Sequence, residues 1–287
     1  MAARLVGFVG LGSLGGPMAA RLVDDGHRLV VSDIVADRVA SLVARGARSA
    51  ADTDLGDCTV VMVAVPDDDA VVGLLEGDAG LLRRLPRGAV VVVHSTLLPA
   101  TVLRLEDSAA ALGVDLLDAP VSGGPARAST GDLTVMVGGS ERGVATARPI
   151  LESVGSEVHH VGPAGSGAAV KLANQTMLFA ALAGVFEGLD VATAYGVPEA
   201  DVLAVVSTSL GESWVTRHWG FFDDMVRDYD EIGTPLEERS WRKDLRDVVE
   251  VAGEHGLRLP VAELLARILA ARVEDHAARH SGPPVSE

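Results

Sequence analysis

The stretch GFVGLGSLGGPMAARL, residues 7–22, decides how this 287-residue chain is read. An apolar run, "RLVGFVG" (4–10), leads into Gly10-x-Gly12-x-x-Gly15, and a helical pattern follows directly. In that setting the three glycines serve different ends. One permits a tight turn, one lets backbone approach a pyrophosphate, and one lets helix pack on strand. The turn Gly10, Leu11, Gly12, Ser13, Leu14, Gly15 then presents a helix N-terminus to the phosphates. In a chain with 32 glycines the spacing alone is weak, and it is the strand before and the helix after that give it weight.

Outward from this turn, short Val/Leu-rich runs alternate with helical patterns as far as residue 162. The runs fall at 4–10, 28–33, 59–65, 89–94, 114–120, 133–139 and 157–162, with helices expected at 15–25, 36–45, 67–75, 99–112 and 141–153. Continuous rather than alternating apolar character suits strands covered on both faces. The order predicts βαβ units in a doubly wound α/β domain of Rossmann type over 1–162. After Pro163 no strand-like run follows. An all-α domain is expected over 163–287, opened by a long interdomain helix (163–195) that stops at "YGVP". Further helices are expected at 199–208, about 212–230, 239–255 and 260–277, with a flexible tail from about 280.

Composition narrows the partners. A net charge of −16 argues against nucleic acid. Cys58 is the only cysteine, so no intrachain disulfide can form, and a cytoplasmic location is expected. No uninterrupted apolar run reaches the ~18–20 residues of a membrane span, so no membrane partner is expected. The N-terminal segment imitates a leader, but its glycines are spaced for a turn.

The second apolar run ends at Asp33, 18 residues after Gly15, where an acid can bind a ribose 2′-hydroxyl and repel a 2′-phosphate. That favours NAD, while Arg38 keeps NADP open and Asp33 also reads as a turn residue or helix cap. Val65, Pro66 and Thr96 end the next two strands, where the ligand crevice of such sheets lies. Ser122, Gly123 and Gly124 offer a hydroxyl and unhindered N–H groups for a small carboxylate, or form an ordinary glycine-rich turn.

The chain's 24 basic residues include only two lysines, Lys171 and Lys243. Arginine keeps its proton, whereas a buried lysine can release it. Lys171 shares a helix face with Asn174 and Gln175 in apolar company, and desolvation there would fit it for proton transfer. Spacing alone nevertheless favours a lysine capping a polar strip. Lys243 sits in "SWRKDLRDVVEVA", a candidate for a substrate carboxylate or a nicotinamide, or part of a solvated charged face over 237–247. His276 and His280 have a zinc-like i,i+4 spacing without further ligands, so no metal is expected.

Four stretches, GFVGLGSLGGPMAARL, DAPVSGGPARASTGDLTVMVGG, GSGAAVKLANQ and KDL, occur in an order and spacing that resembles the β-hydroxyacid dehydrogenase family, which includes 3-hydroxyisobutyrate dehydrogenase and tartronate semialdehyde reductase. The resemblance spans residues 7–245. It implies an NAD(P)-dependent oxidoreductase interconverting a small 3-hydroxy carboxylate and its aldehyde or ketone, and a helical domain used for dimer or tetramer contacts. It makes Lys171 the match for the family's catalytic lysine. Asn174, Ser122, Gly123 and Gly124 match substrate-binding positions, Lys243 a cofactor/substrate lysine, and Thr96 a residue at the cofactor. The chain departs from the pattern at Arg127, where the family usually has glycine, and over 212–241. Arg127 could reach an extra anionic group or point to solvent. Alternatives are an imine or other carbonyl reductase of the same fold, or a non-catalytic dinucleotide-binding protein.

Overall fold

The structure of the protein, a computed structural model, describes residues 5–77 and 79–280, without the His280 side chain. The chain divides into two compact units, Met1–Lys171 and Leu172–Glu287.

The first unit begins β1 (Leu5–Val9), α1 (Gly15–Asp24), β2 (Arg28–Ser32), α2 (Ala36–Ala44), β3 (Arg48–Ser49), β4 (Val60–Val63), α3 (Asp68–Glu76), α4 (Leu81–Arg84) and β5 (Val90–Val93). It continues α5 (Pro99–Leu112), β6 (Asp115–Asp118), β7 (Val121–Ser122), α6 (Gly124–Thr130), β8 (Thr134–Gly138), α7 (Glu141–Val154) and β9 (Glu157–Gly162). The strands lie in the order β3-β2-β1-β4-β5-β6-β8-β7, with β9 also paired to β8. From β3 to β6 every pairing is parallel, and β8 runs antiparallel to β6 and β7.

Pleating explains the continuous apolar runs. Val60, Met62, Val90 and Val92 enter one apolar layer, while Val61, Val63, Val91 and Val93 enter the layer on the other face. With side chains buried both ways, no polar alternation is left to read. Helix ends follow local chemistry: Ser140 accepts from the Gly143 N–H at 3.0 Å to start α7, and α5 opens on Pro99 and stops at Gly113, whose φ is 76°.

Helix α8 (Ser166–Thr193) crosses the divide. By length and composition it could span a membrane, with a mean hydropathy of 1.4 over its most apolar 18 residues. Lys171, Asn174, Gln175 and Glu187 interrupt its apolar residues, and alanine, leucine and phenylalanine outweigh them in the average. In the second unit α8 gives Phe179, Leu182 and Phe186 to an apolar core, and leaves Met177 and Val191 exposed.

The second unit continues α9 (Glu199–Val206), α10 (Trp214–Arg217), α11 (Phe221–Ile232), α12 (Ser240–His255) and α13 (Pro260–His280). The single helix expected over about 212–230 is two, because the chain between them passes through Gly220 at φ 92°. The expected tail, 281–287, lies outside the described residues.

Candidate functional site

The glycine-rich turn is built as its spacing implies. Gly10 has φ 90°, and a Cβ there would strike the Ala64 carbonyl. A Cβ on Gly15 would fall on the Gly10 carbonyl oxygen, so α1 packs at a distance only glycine allows. Gly12 is different, since nothing lies within 4 Å of where its Cβ would be. The tight positions make the turn, and the open one leaves bare backbone before the helix. No side chain caps α1; the Gly16 N–H is bonded to the Gly12 carbonyl at 2.9 Å and Pro17 has none, so it is the bare backbone around Gly12, just before the helix, that is left open to an anion. The residues present therefore fit a dinucleotide pyrophosphate.

Asp33 has a structural role as well. Its Oδ2 accepts from the Leu11 N–H at 2.6 Å and its Oδ1 from the Val35 N–H at 2.8 Å. It thus clasps the glycine-rich turn to the end of β2. The carboxylate is largely covered, with Arg38 Nη1 3.6 Å away. Two accepted bonds leave lone pairs for a further donor.

The ends of β4 and β5, carrying Val65, Pro66 and Thr96, are stitched by residues that sequence reasoning missed. Ser95 Oγ donates to the Val65 carbonyl at 2.6 Å, and Asp68 Oδ1 accepts from the Leu98 N–H at 3.1 Å. His94, just past β5, is 3% exposed, and its Nδ1 lies 2.7 Å from the Ala119 carbonyl. That partner puts the proton on Nδ1, and Nε2 has no partner among the described residues. Burial pushes the imidazole down to about 4, against the bond to Ala119.

This has a pH consequence. Above the ordinary value of 6.5 the imidazole is neutral in both the folded and unfolded chain. Between 6.5 and about 4 only the unfolded chain takes the proton, so stability falls. The expected loss over that window is about 3 kcal/mol. Hydrogen exchange of the β5 amides should show the loss in the wild type and a shallower one in His94→Gln. Parallel pH curves would refute the assignment.

At the other end of the unit, β7 delivers Ser122 into a turn through Gly123 (φ 141°) and Gly124 (φ 73°). Lys171, 8% exposed, donates from Nζ to the Val121 carbonyl at 2.9 Å. An ammonium is thereby held one residue before the glycine-rich turn. Asp118, missed from the sequence, is buried at the end of β6 and accepts from Gly165 N–H at 2.9 Å and Ala168 N–H at 2.7 Å. Arg127 lies on α6 with its Nε 3.0 Å from Asp132 Oδ2, a partly exposed pair. Its stem runs beside Gly123, where a Cβ would come within 3.1 Å of Arg127 Cβ.

The helical unit holds the other two sequence candidates in a chain of polar contacts. Asn174 Nδ2 donates to Gln175 Oε1 at 3.1 Å, and Gln175 Nε2 donates to Asp244 Oδ2 at 2.6 Å. Lys243 Nζ lies 3.9 Å from Asp244 and 2.6 Å from Asp247 Oδ2. Lys243, Asp244 and Asp247 are buried while Arg242 and Arg246 are exposed, so the 237–247 stretch is only in part a solvated face. His276 pairs through Nδ1 with Asp223 Oδ1 at 2.7 Å, whereas the His280 side chain lies outside the described residues. Among the described residues no group of three or more His, Cys, Asp or Glu is placed to hold a metal ion.

Two family models match the chain. Residues 5–162 match the family described as the NAD binding domain of 6-phosphogluconate dehydrogenase. Residues 165–282 match the NAD-binding family of NADP-dependent 3-hydroxyisobutyrate dehydrogenase. A 3-hydroxyisobutyrate dehydrogenase of Pseudomonas aeruginosa is 40% identical over 212 residues, 73% of this chain and 71% of that protein. An NAD-dependent L-serine dehydrogenase of the same organism is 39% identical over 213 residues, with the same coverages. Among solved structures, Mycobacterium tuberculosis 3-hydroxyisobutyrate dehydrogenase with L-serine superposes with a TM-score of 0.80 at 26% identity, covering 96% of this chain and 95% of that one. The chain belongs to the β-hydroxyacid dehydrogenase family, as an NAD(P)-dependent oxidoreductase of the 3-hydroxyisobutyrate dehydrogenase kind.

Proposed function

We propose that the protein interconverts a small 3-hydroxy carboxylate and its aldehyde or ketone, with Lys171 as the general acid/base. The observation that carries the reading is the buried Lys171 ammonium, 2.9 Å from the carbonyl of Val121 and thus beside the Ser122–Gly124 turn. A bound nicotinamide dinucleotide supplies the hydride acceptor. In oxidation Lys171, as the neutral amine, takes the hydroxyl proton and becomes the ammonium; in reduction the ammonium returns that proton to the developing alkoxide. The Ser122 hydroxyl and the N–H groups of Gly123 and Gly124 hold the carboxylate. NAD is favoured over NADP because Asp33 places a carboxylate at the end of β2, although Arg38 stands 3.6 Å from it. Exposed apolar side chains on α8, Met177 and Val191, support self-association as a dimer or tetramer.

The test is absorbance of reduced cofactor with NAD or NADP and a panel of 3-hydroxy and 2-hydroxy acids, on a sample whose mass is measured by light scattering. Turnover of at least one 3-hydroxy acid, faster with NAD, is expected from an oligomer. Silence across the panel despite cofactor binding would overturn the activity, NADP preference the cofactor assignment, and a monomer mass the self-association.

A further inference from the structure

Proton transfer through Lys171 leaves unexplained the most deeply placed carboxylate of the same unit. Asp118 is 2% exposed, paired with Val93 of the all-valine strand β5. Burial raises its pKa above the ordinary carboxylate value, and backbone N–H donors from Ala168, Gly165 and Gly167 oppose the rise. An acid so placed costs folding energy unless those donors satisfy it. All three belong to the start of α8, the helix that carries Lys171.

The surroundings are shaped around that carboxylate. A Cβ on Gly138 of β8 would fall on Asp118 Oδ1. A Cβ on Gly167 would strike the Met136 carbonyl and lie 2.6 Å from the Asp118 carbonyl. Both glycines let the first turn of α8 sit directly on the backbones of β6 and β8. Pro120, between Asp118 and Val121, is tied to β8 through its carbonyl, which accepts from the Met136 N–H at 3.0 Å. The tetrapeptide Asp118–Val121 therefore grips α8 at two points. Its first residue holds the helix N-terminus, and its last holds the Lys171 ammonium at 2.9 Å. A carboxylate at a helix N-terminus also offsets the positive end of the helix dipole, which would otherwise disfavour an ammonium one turn further on.

From this geometry we infer that Asp118 is a positioning residue for the proton-transfer step, fixing Lys171 in place and in charge through the first turn of α8. The inference rests on the reading of Lys171 as the acid/base group. In this role Asp118 acts through the helix, whose first N–H groups it accepts, and not on the substrate.

The test compares Asp118→Asn, Lys171→Ala and the double variant. Asp118→Asn should lower kcat ~10–100-fold, the scale of a misplaced catalytic group, with KM and NADH affinity nearly unchanged. A residue acting only through Lys171 adds nothing once Lys171 is gone, so the double variant should match Lys171→Ala. A second readout needs no turnover. With two lysines in the chain, ε-carbon-13 lysine labelling gives two side-chain signals. Asp118→Asn should move the Lys171 titration to lower pH and leave that of Lys243 in place. If Asp118→Asn does not fold, Gly138→Ala, which crowds the carboxylate while keeping its charge, should lower kcat in the same way. Wild-type kcat with an unmoved Lys171 titration would overturn the inference, as would a double variant clearly worse than Lys171→Ala. Wild-type turnover by Lys171→Ala would instead overturn the acid/base reading itself.

Discussion

Lys171→Ala is expected to lower kcat by ~10²–10⁴-fold, the usual contribution of a positioned acid or base. Cofactor affinity should hardly change, because the glycine-rich turn and Asp33 are built from other elements. The lost bond to the Val121 carbonyl removes one buried contact, so a modest fall in stability is expected alongside. Lys171→Arg is the sharper variant. It keeps a cation and a donor, but a guanidinium does not release its proton at neutral pH. If charge alone mattered, arginine would restore the rate; if a cycling proton matters, it stays nearly as slow as alanine. Initial rates of cofactor reduction at saturating hydroxy acid separate these cases. Turnover within a few-fold of wild type in Lys171→Ala would remove Lys171 from the chemistry.

Lys243→Met should destabilise the helical unit by ~3–5 kcal/mol, the cost of breaking a buried ion pair from one side. Asp247 would lose its partner at 2.6 Å and Asp244 its neighbour at 3.9 Å, and both carboxylates are buried. Lys243→Met combined with Asp247→Leu should recover much of the loss, since two apolar groups leave less charge stranded. All three tryptophans of the chain, Trp214, Trp219 and Trp241, lie in this unit, so urea unfolding followed by their fluorescence reports on it directly. A loss below ~1 kcal/mol, the level of an exposed pair, would mean that the pair is worth no more than a surface salt bridge.

The parts of the fold legible in the sequence are those whose signal is local and repeated. The central strands are readable because valine runs such as 90–93 are buried on both faces, and α5 because Pro99 and Gly113 mark its ends. What escapes has little length or no local signature. β3 and β7 are two residues each, and α6 is seven residues folded out of a glycine-rich turn. α10 and α11 merge in an apolar pattern that a positive φ at Gly220 divides. In the site, glycine spacing and the four stretches point to the turn, Ser122 and Lys171. Asp118, Ser95 and His94 are invisible because their partners stand 25 to 50 residues away. An acid ending the apolar run "VDLLDAP" is the one available hint of the first.

Both lysines of the chain are buried, and its exposed cations are arginines. Amine-directed chemistry therefore finds no ready side chain on the surface. Acylating reagents and amine-selective crosslinkers bulkier than the substrate should reach a lysine only when the β6–β7 segment or α12 loosens its hold. The rate at which such a reagent modifies Lys171 is then a clock for that loosening. Ligands that tighten the segment should slow the clock, so a slow covalent label can report occupancy without any turnover.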